Sequence, residues 1–245
     1  MEHPGYGYRR LKPELEARTG QRINHKRLRR LLRETGLSLI RRLPKYRPSE
    51  VQEILRDNPM HVDLVKGRSF GILQALSTDL TELRYAGGSR KAWFMAMVDI
   101  EGKWAPGWAV GPRRNRELAR ECWDRTYQSF ASLNLDVGGV IVHQDQDSVY
   151  TSYDWLRTLM VDHGARVSYS ENGARGNPWV ESMWGRIKTE IGSLITEARE
   201  LRELEETVRK HMDYYNNRRR HSSIDNQTPT QYLKEYLRRE DVAAN

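Results

Sequence analysis

The sequence predicts an α/β protein: a mixed five-stranded sheet flanked by helices, preceded by a small helical element and followed by a helical extension. Three observations support this prediction. Near-continuous apolar runs begin at about residue 69 and alternate with helical patterns. The first 47 residues combine helical leucine spacing with many arginines, and residues 201–217 carry a long amphipathic stripe.

A basic element is predicted at the amino-terminal end, over residues 1–40. A first helix runs from Tyr8 to Thr19 and stops at Gly20. A second, arginine-rich helix is capped by Asn24 and ends before Gly36. Two short helices with a tight connection are typical of a helix-turn-helix-type element.

The charge of the chain indicates an anionic polymer as partner. The net charge is +8, yet residues 1–47 alone hold 14 Lys and Arg against four Glu. Nucleic acid is the commonest such partner, with a solvated basic helix face as the alternative. The candidate DNA-binding residues are Arg9, Arg10, Lys26, Arg27, Arg29 and Arg30, together with Arg218, Arg219 and Arg220 near the other end.

Composition excludes several other classes of protein. The longest apolar run, residues 92–98, is far too short to cross a bilayer, so no membrane partner is expected. No secretory signal is visible at the start, and the single cysteine excludes an internal disulfide and a cysteine-rich zinc module. A reducing cytoplasm is the expected compartment.

The predicted sheet lies in residues 69–196, after a proline-containing linker at 41–68. FGILQALSTDL, KAWFMAMVDI and KWAPGWAVG predict three strands with hairpin-length links, and an α-β-α-β-α series follows. Residues 197–245 are predicted to form a helical extension for DNA binding or assembly.

Three carboxylates fall at informative places on this scaffold. Asp79 lies in the tail of the first strand, and Asp145 ends the fourth. Asn177 is a good N-cap and Pro178 suits the first helical position, so Glu181 falls in the opening turn of a helix. Adjacent strands of an open sheet can bring such side chains together from distant positions.

The same helix predicts a surface on which a phosphodiester backbone could lie. Lys188 follows Glu181 by two helical turns on one face, with Gly185 between them. Converging carboxylates repel one another unless a divalent cation lies among them. Mg²⁺ prefers such oxygen ligands, and two ions can serve phosphodiester chemistry.

The quoted segments carry a family resemblance. STDLTELRY, HQDQDSVYTS, NPWVESMWGRIKTE and YYNNRRRHSSIDNQTPTQY, with the opening GYRRLKPELEARTGQRINHKRLRRLLRETGL, resemble the OrfB-type transposases of bacterial insertion sequences. These belong to the DDE retroviral-integrase-like superfamily with a ribonuclease-H-like catalytic core. The match runs over nearly the whole chain in the same order.

This resemblance implies a function and a site. The function is metal-dependent cleavage and strand transfer at the element's ends, with Asp79, Asp145 and Glu181 as catalytic residues and metal ligands. Two Mg²⁺ ions per site are implied, with Mn²⁺ as a substitute, and Lys188 and Arg186 would hold DNA. The implied partners are transposon ends, target DNA, further copies of the chain, and an upstream-frame helix-turn-helix product, in a bacterial cytoplasm at the nucleoid.

One segment departs from the family. The usual form after the second aspartate is HSDRGSQYTS, so Asp147 stands where a turn glycine is expected. It is either a turn residue, since Asp suits turns, or an extra carboxylate that perturbs the metals. Two alternatives to the transposase therefore stay open: a metal-dependent nuclease without joining activity, and an inert or truncated DNA-binding derivative.

Overall fold

The computed structural model describes residues 8–37, 61–170 and 177–244. The chain divides into two compact units, residues 1–47 and residues 48–245, which are considered separately. The larger part of the predicted linker, residues 41–60, and the loop at 171–176 lie outside the described residues.

The first unit contains the two predicted helices, α1 (Tyr8–Thr19) and α2 (His25–Glu34). The Asn24 side chain caps α2 by accepting the Lys26 N–H at 2.8 Å, as predicted. Gly20 and Gly36 have φ of 67° and 68°, the left-handed backbone that ends a helix.

The second unit is built on one sheet with the strand order β3-β2-β1-β4-β5. Its strands are β1 (Ala75–Tyr85), β2 (Arg90–Asp99), β3 (Gly107–Gly111), β4 (Ile141–Gln144) and β5 (Arg166–Tyr169). The first three strands pair in antiparallel fashion, whereas β4 pairs parallel to β1 and β5 parallel to β4. The predicted mixed five-stranded sheet is confirmed.

Helices cover both faces of this sheet. They are α3 (Arg116–Ser132), α4 (Tyr153–Leu156), α5 (Pro178–Glu197), α6 (Leu201–Asn217) and α7 (Pro229–Ala244). One apolar layer joins β1 and β2 to α3, α4 and α7, and the other joins the opposite side of these strands to α5 and α6. Successive side chains of a strand point alternately into the two apolar layers, and because both layers are buried the strands read as near-continuous apolar runs.

The amphipathic pattern at residues 201–217 is confirmed as α6. Of its five predicted apolar positions, Leu204, Val208, Met212 and Tyr215 are buried, and Leu201 is partly buried at the first turn. No helix among the described residues is long and apolar enough to cross a membrane.

Two expectations about element boundaries are corrected. The helix predicted after residue 153 is α-helical only to Leu156 and continues as a π-helical turn, Arg157–Asp162. The first strand is longer than its apolar core and extends to Tyr85, so Asp79 lies in its middle rather than in its tail. Alternating polar residues continue the strand because its second half still has one buried face.

Candidate active site

Asp79 projects from β1 toward the sheet face covered by α5. Its Oδ2 accepts a hydrogen bond from the Trp184 indole Nε1 at 3.3 Å. Burial raises the pKa of Asp79 from 3.8 to about 6. Hydrogen bonds from the Leu80 N–H and the indole oppose this rise, while the negative charges of Asp145 and Glu181 add to it. Asp145 and Glu181 are therefore each within electrostatic reach of Asp79.

The register of β1 and β4 brings Asp145 near Asp79. It pairs Ser77 with His143, the last pair of the parallel ladder, and each aspartate follows its paired residue by two positions. Asp145 lies one residue beyond the end of β4, not within it as predicted. Its Oδ1 accepts the Asp147 N–H at 3.0 Å, yet burial outweighs this bond and raises the pKa of Asp145.

Glu181 lies in the first turn of α5 and is exposed. Pro178 occupies the start of the helix, as predicted. Asn177 occupies the N-cap position, as predicted, but its side chain makes no capping hydrogen bond.

Asn177 instead fixes the start of α5 to β1. Its Oδ1 accepts from the Ser77 hydroxyl, and its Nδ2 donates to the Thr78 carbonyl oxygen at 2.7 Å. Only 1% of Asn177 is exposed, so both hydrogen bonds are shielded from water. We call this contact the Asn177 clamp. It links the helix that carries Glu181 to the strand that carries Asp79.

The chemistry of the three carboxylates suits a hard divalent cation. Carboxylate oxygens are the ligands that Mg²⁺ and Mn²⁺ prefer, and their mutual repulsion falls when a cation lies between them. Within residues 8–37, 61–170 and 177–244, no three acidic, histidine or cysteine side chains already stand close enough to share one ion. Asp79 and Asp145 are half-buried, whereas Glu181 is exposed.

Asp147 organises the turn that follows β4. Its carbonyl oxygen accepts the N–H groups of Tyr150 and Thr151, both at 3.0 Å, and its Oδ1 accepts the Val149 N–H at 3.0 Å. Its Oδ2 lies 3.0 Å from Arg114 Nη1. The backbone of Asp147 is not left-handed, so the turn does not require glycine. These contacts favour the turn interpretation over an extra metal ligand.

The exposed face of α5 continues from Glu181 to Lys188, which is also exposed. A Cβ atom added to Gly185 would meet nothing within 4 Å, so this stretch of the helix is open. Arg186 is exposed as well, and its Nη1 lies 3.4 Å from His221 Nδ1. The predicted carboxylate, open gap and positive charge thus occur together on one helix.

The predicted basic run after α6 is only partly available to a ligand. Arg218 and Arg220 are exposed, and Arg220 Nη1 donates to the Asn226 carbonyl oxygen at 2.9 Å. Arg219 is 19% exposed and donates through Nε to Glu190 Oε1 at 2.9 Å. In the separate first unit, all six predicted basic residues are exposed: Arg9, Arg10, Lys26, Arg27, Arg29 and Arg30.

Two contributors to the site were not predicted from the sequence. Ser77 could have been found, because it lies two residues before Asp79 on the same face of a strand. Arg114 gave no signal, since it reaches Asp147 from the loop before α3 and stacks on the Trp93 ring, 5.2 Å from its centroid.

Comparisons with known proteins show which families this chain is similar to. Two sequence profiles described as the Integrase core domain match residues 73–174 and residues 163–229. A profile described as an HTH-like domain matches residues 1–45.

Named relatives cover most of the chain. A protein of Escherichia coli (strain K12), described as transposase InsK for insertion sequence element IS150, is 28% identical over 93% of this chain and 77% of its own length. The transposase for insertion sequence element IS904 of Lactococcus lactis subsp. lactis (strain IL1403) is 28% identical over 95% of this chain and 89% of its own. The crystal structure of the BIV integrase catalytic core domain has a TM-score of 0.51 at 14% identity, covering 69% of this chain and 99% of that one, and shares the fold.

Proposed function

Since this chain belongs to the insertion-sequence transposases of the integrase superfamily, we propose that it cleaves DNA at the ends of its element and joins them to target DNA. The observation that carries this proposal is that Asp145 directly follows β4, the parallel neighbour of the strand that carries Asp79, while the helix of Glu181 packs against that strand. The Asn177 clamp supports it, because it ties that helix to the strand of Asp79.

The proposed cofactor is Mg²⁺, with Mn²⁺ as a substitute. Asp79 and Asp145 would share two ions, and Glu181 would complete the second site as it approaches the pair. Bound ions of this kind activate an attacking oxygen and stabilise a leaving one in phosphodiester chemistry. The Trp184 indole N–H and the Leu80 N–H both donate to the Asp79 carboxylate and hold it in place.

The residues along α5 are proposed to position the DNA. Lys188 would contact a phosphate near Glu181, and the open backbone at Gly185 lets the strand approach the helix. Arg186 and the run from Arg218 to Arg220 would extend this contact. Such contacts hold DNA without reading its sequence.

The exposed basic residues of α1 and α2 are proposed to bind the DNA backbone, with strong salt dependence and little choice of sequence. We propose that copies of the chain assemble, because two element ends must be held together. An upstream-frame helix-turn-helix product is a proposed partner or fusion, and the bacterial nucleoid the proposed location.

A second candidate function rests on the exposed position of Glu181. Without a complete set of three carboxylates the chain would bind DNA and leave it uncut. A metal-dependent nuclease that cuts without joining is the third possibility on the same fold.

A joining assay separates these functions. The substrate is a labelled, pre-cleaved duplex of the element's end, mixed with plasmid in Mg²⁺ or Mn²⁺. We expect joined product from the native chain and from Asp124→Asn, an exposed carboxylate on α3, and none from Asp145→Asn. Cut but unjoined DNA would indicate a nuclease, and bound but unaltered DNA an inert binder.

A further inference from the structure

A buried histidine lies between two arginines in the second unit. His221 is 3% exposed, and its ring packs edge-on against Tyr215 at a centroid distance of 5.0 Å. Its Nδ1 lies 3.4 Å from Arg186 Nη1, and its Nε2 lies 3.4 Å from Arg219 Nη1. Both ring nitrogens therefore face guanidinium groups.

This arrangement leaves a hydrogen-bonding mismatch. Burial, followed by the charges of Arg219, Arg186 and Lys103, lowers the pKa of His221 to about 4, so the ring is neutral at pH 7. A neutral imidazole has one acceptor nitrogen and one N–H, whereas guanidinium groups only donate. One ring N–H must therefore face another donor, and an anion between them would accept from both.

The two guanidinium groups beside His221 differ in their carboxylate partners. Glu190 is bound to Arg219, whereas no carboxylate in the described part of the chain forms an ion pair with Arg186. Burial lowers the pKa of Lys103, the charges of Glu101 and Asp99 oppose this, and the charge of Arg186 adds to it. Like charges of this kind repel unless an anion joins them.

Lys103 itself occupies an unusual backbone position. Its φ is 59°, a left-handed conformation that costs a lysine free energy and suits Gly or Asn. The turn is held by the Asp99 carboxylate, which accepts the N–H groups of Glu101 and Gly102. The Lys103 ammonium donates to the Ile100 carbonyl oxygen within the same turn.

We propose that Lys103, Arg186, Arg219 and His221 together bind a phosphate of the DNA substrate. The three cations would contact its oxygens and the His221 N–H would donate to one of them. Arg186 follows Glu181 on α5 by about 7.5 Å along the helix axis and about 140° around it, so this phosphate would lie beside a different face of α5 from Glu181. The proposal rests on the proposed function only in taking DNA as the source of the phosphate.

The test measures DNA affinity against salt in EDTA, on the Asp145→Asn background, so that failure of catalysis cannot affect the result. Each lost phosphate contact should reduce the slope of log K against log salt by about 0.9. We expect this reduction, with about tenfold weaker binding, for Lys103→Asn and for Arg186→Gln. Arg120→Gln, an exposed arginine on α3, is the charge-matched control and should leave the slope unchanged.

Thermal unfolding distinguishes weaker DNA binding by the Lys103 variant from a loss of its folded state. Because asparagine tolerates left-handed backbone, Lys103→Asn should keep or raise the melting temperature while it weakens DNA binding. Unchanged slopes for both variants would overturn the proposal, and so would an equal loss for Arg120→Gln. Protection by inorganic phosphate without any change in the DNA slope would also overturn it, because the site would then take free phosphate.

Discussion

The Asn177 clamp makes the strongest prediction about how the site is held together. Substitution of Asn177 by alanine removes two buried hydrogen bonds, leaving the Ser77 hydroxyl and the Thr78 carbonyl with a lost partner. Each buried polar group left without its partner costs about 1–3 kcal/mol. The free energy of unfolding should therefore fall by about 2–6 kcal/mol, which lowers the melting temperature by about 4–24 °C in a chain of this size.

The chain offers a matched control for this substitution. The Asn216 side chain makes a similar double contact, accepting the Ala105 N–H at 2.9 Å and donating to the Ala105 carbonyl at 3.0 Å. It ties α6 to the loop before β3, away from the carboxylates. Asn216→Ala should therefore lose stability of the same kind, about 1–3 kcal/mol, without changing the position of Glu181.

The two variants are compared by the rate of joining at saturating DNA, at a temperature where both are folded. A displacement of about 1 Å at a reacting centre costs on the order of 100-fold in rate, so Asn177→Ala should lose joining by that factor. Asn216→Ala should stay within about threefold of the native chain. Equal joining rates for the two variants would refute the idea that the clamp positions the Glu181 helix.

Three further predictions concern single side chains. Asp147→Gly should lose about 1–2 kcal/mol, from the turn hydrogen bond and the half-exposed pair with Arg114, and should keep joining activity in the plasmid assay. A gain in joining would instead identify Asp147 as an inhibitory carboxylate. The raised native pKa of Asp79 means that its contribution to stability is complete below pH 3.8 and is lost as pH rises through about 6. In EDTA at pH 8, Asp79→Asn should thus resist urea unfolding better than the native chain. The difference between the two should be smaller at pH 4. Equal stability at pH 8 would contradict the burial of this charge. Lys188→Gln should reduce joining about tenfold without lowering the melting temperature. Lys234→Gln, at an exposed lysine on α7, should leave both the joining rate and the melting temperature unchanged. A similar loss of joining in both variants would mean that the overall charge of the protein determines the rate.

The fold was predictable because its elements follow local patterns. Apolar strands, the stripe of α6 and the stop glycines Gly20 and Gly36 each depend on neighbours a few residues away. The π-helical turn at Arg157–Asp162 was not predictable, since α and π turns share one apolar pattern.

Candidate residues for the site could be proposed from the sequence, but the contacts that support them could not. Asp79, Asp145 and Glu181 could be named from chain order and from the resemblance, yet their proximity depends on the register between β1 and β4. The capping rule failed at Asn177 because a buried partner on another element competed successfully for its side chain.

The central position of β1 has a consequence for how the chain folds. Its antiparallel partner follows after a short turn, but its parallel partner is reached only through β3 and α3. Contacts that close such long loops form later than local ones, and synthesis proceeds from the amino-terminal end. The β1–β2–β3 meander can therefore form early on the ribosome, while the aspartate pair must wait for β4 and the Asn177 clamp for α5. A chain that ends prematurely can thus acquire part of a sheet without assembling the carboxylate site.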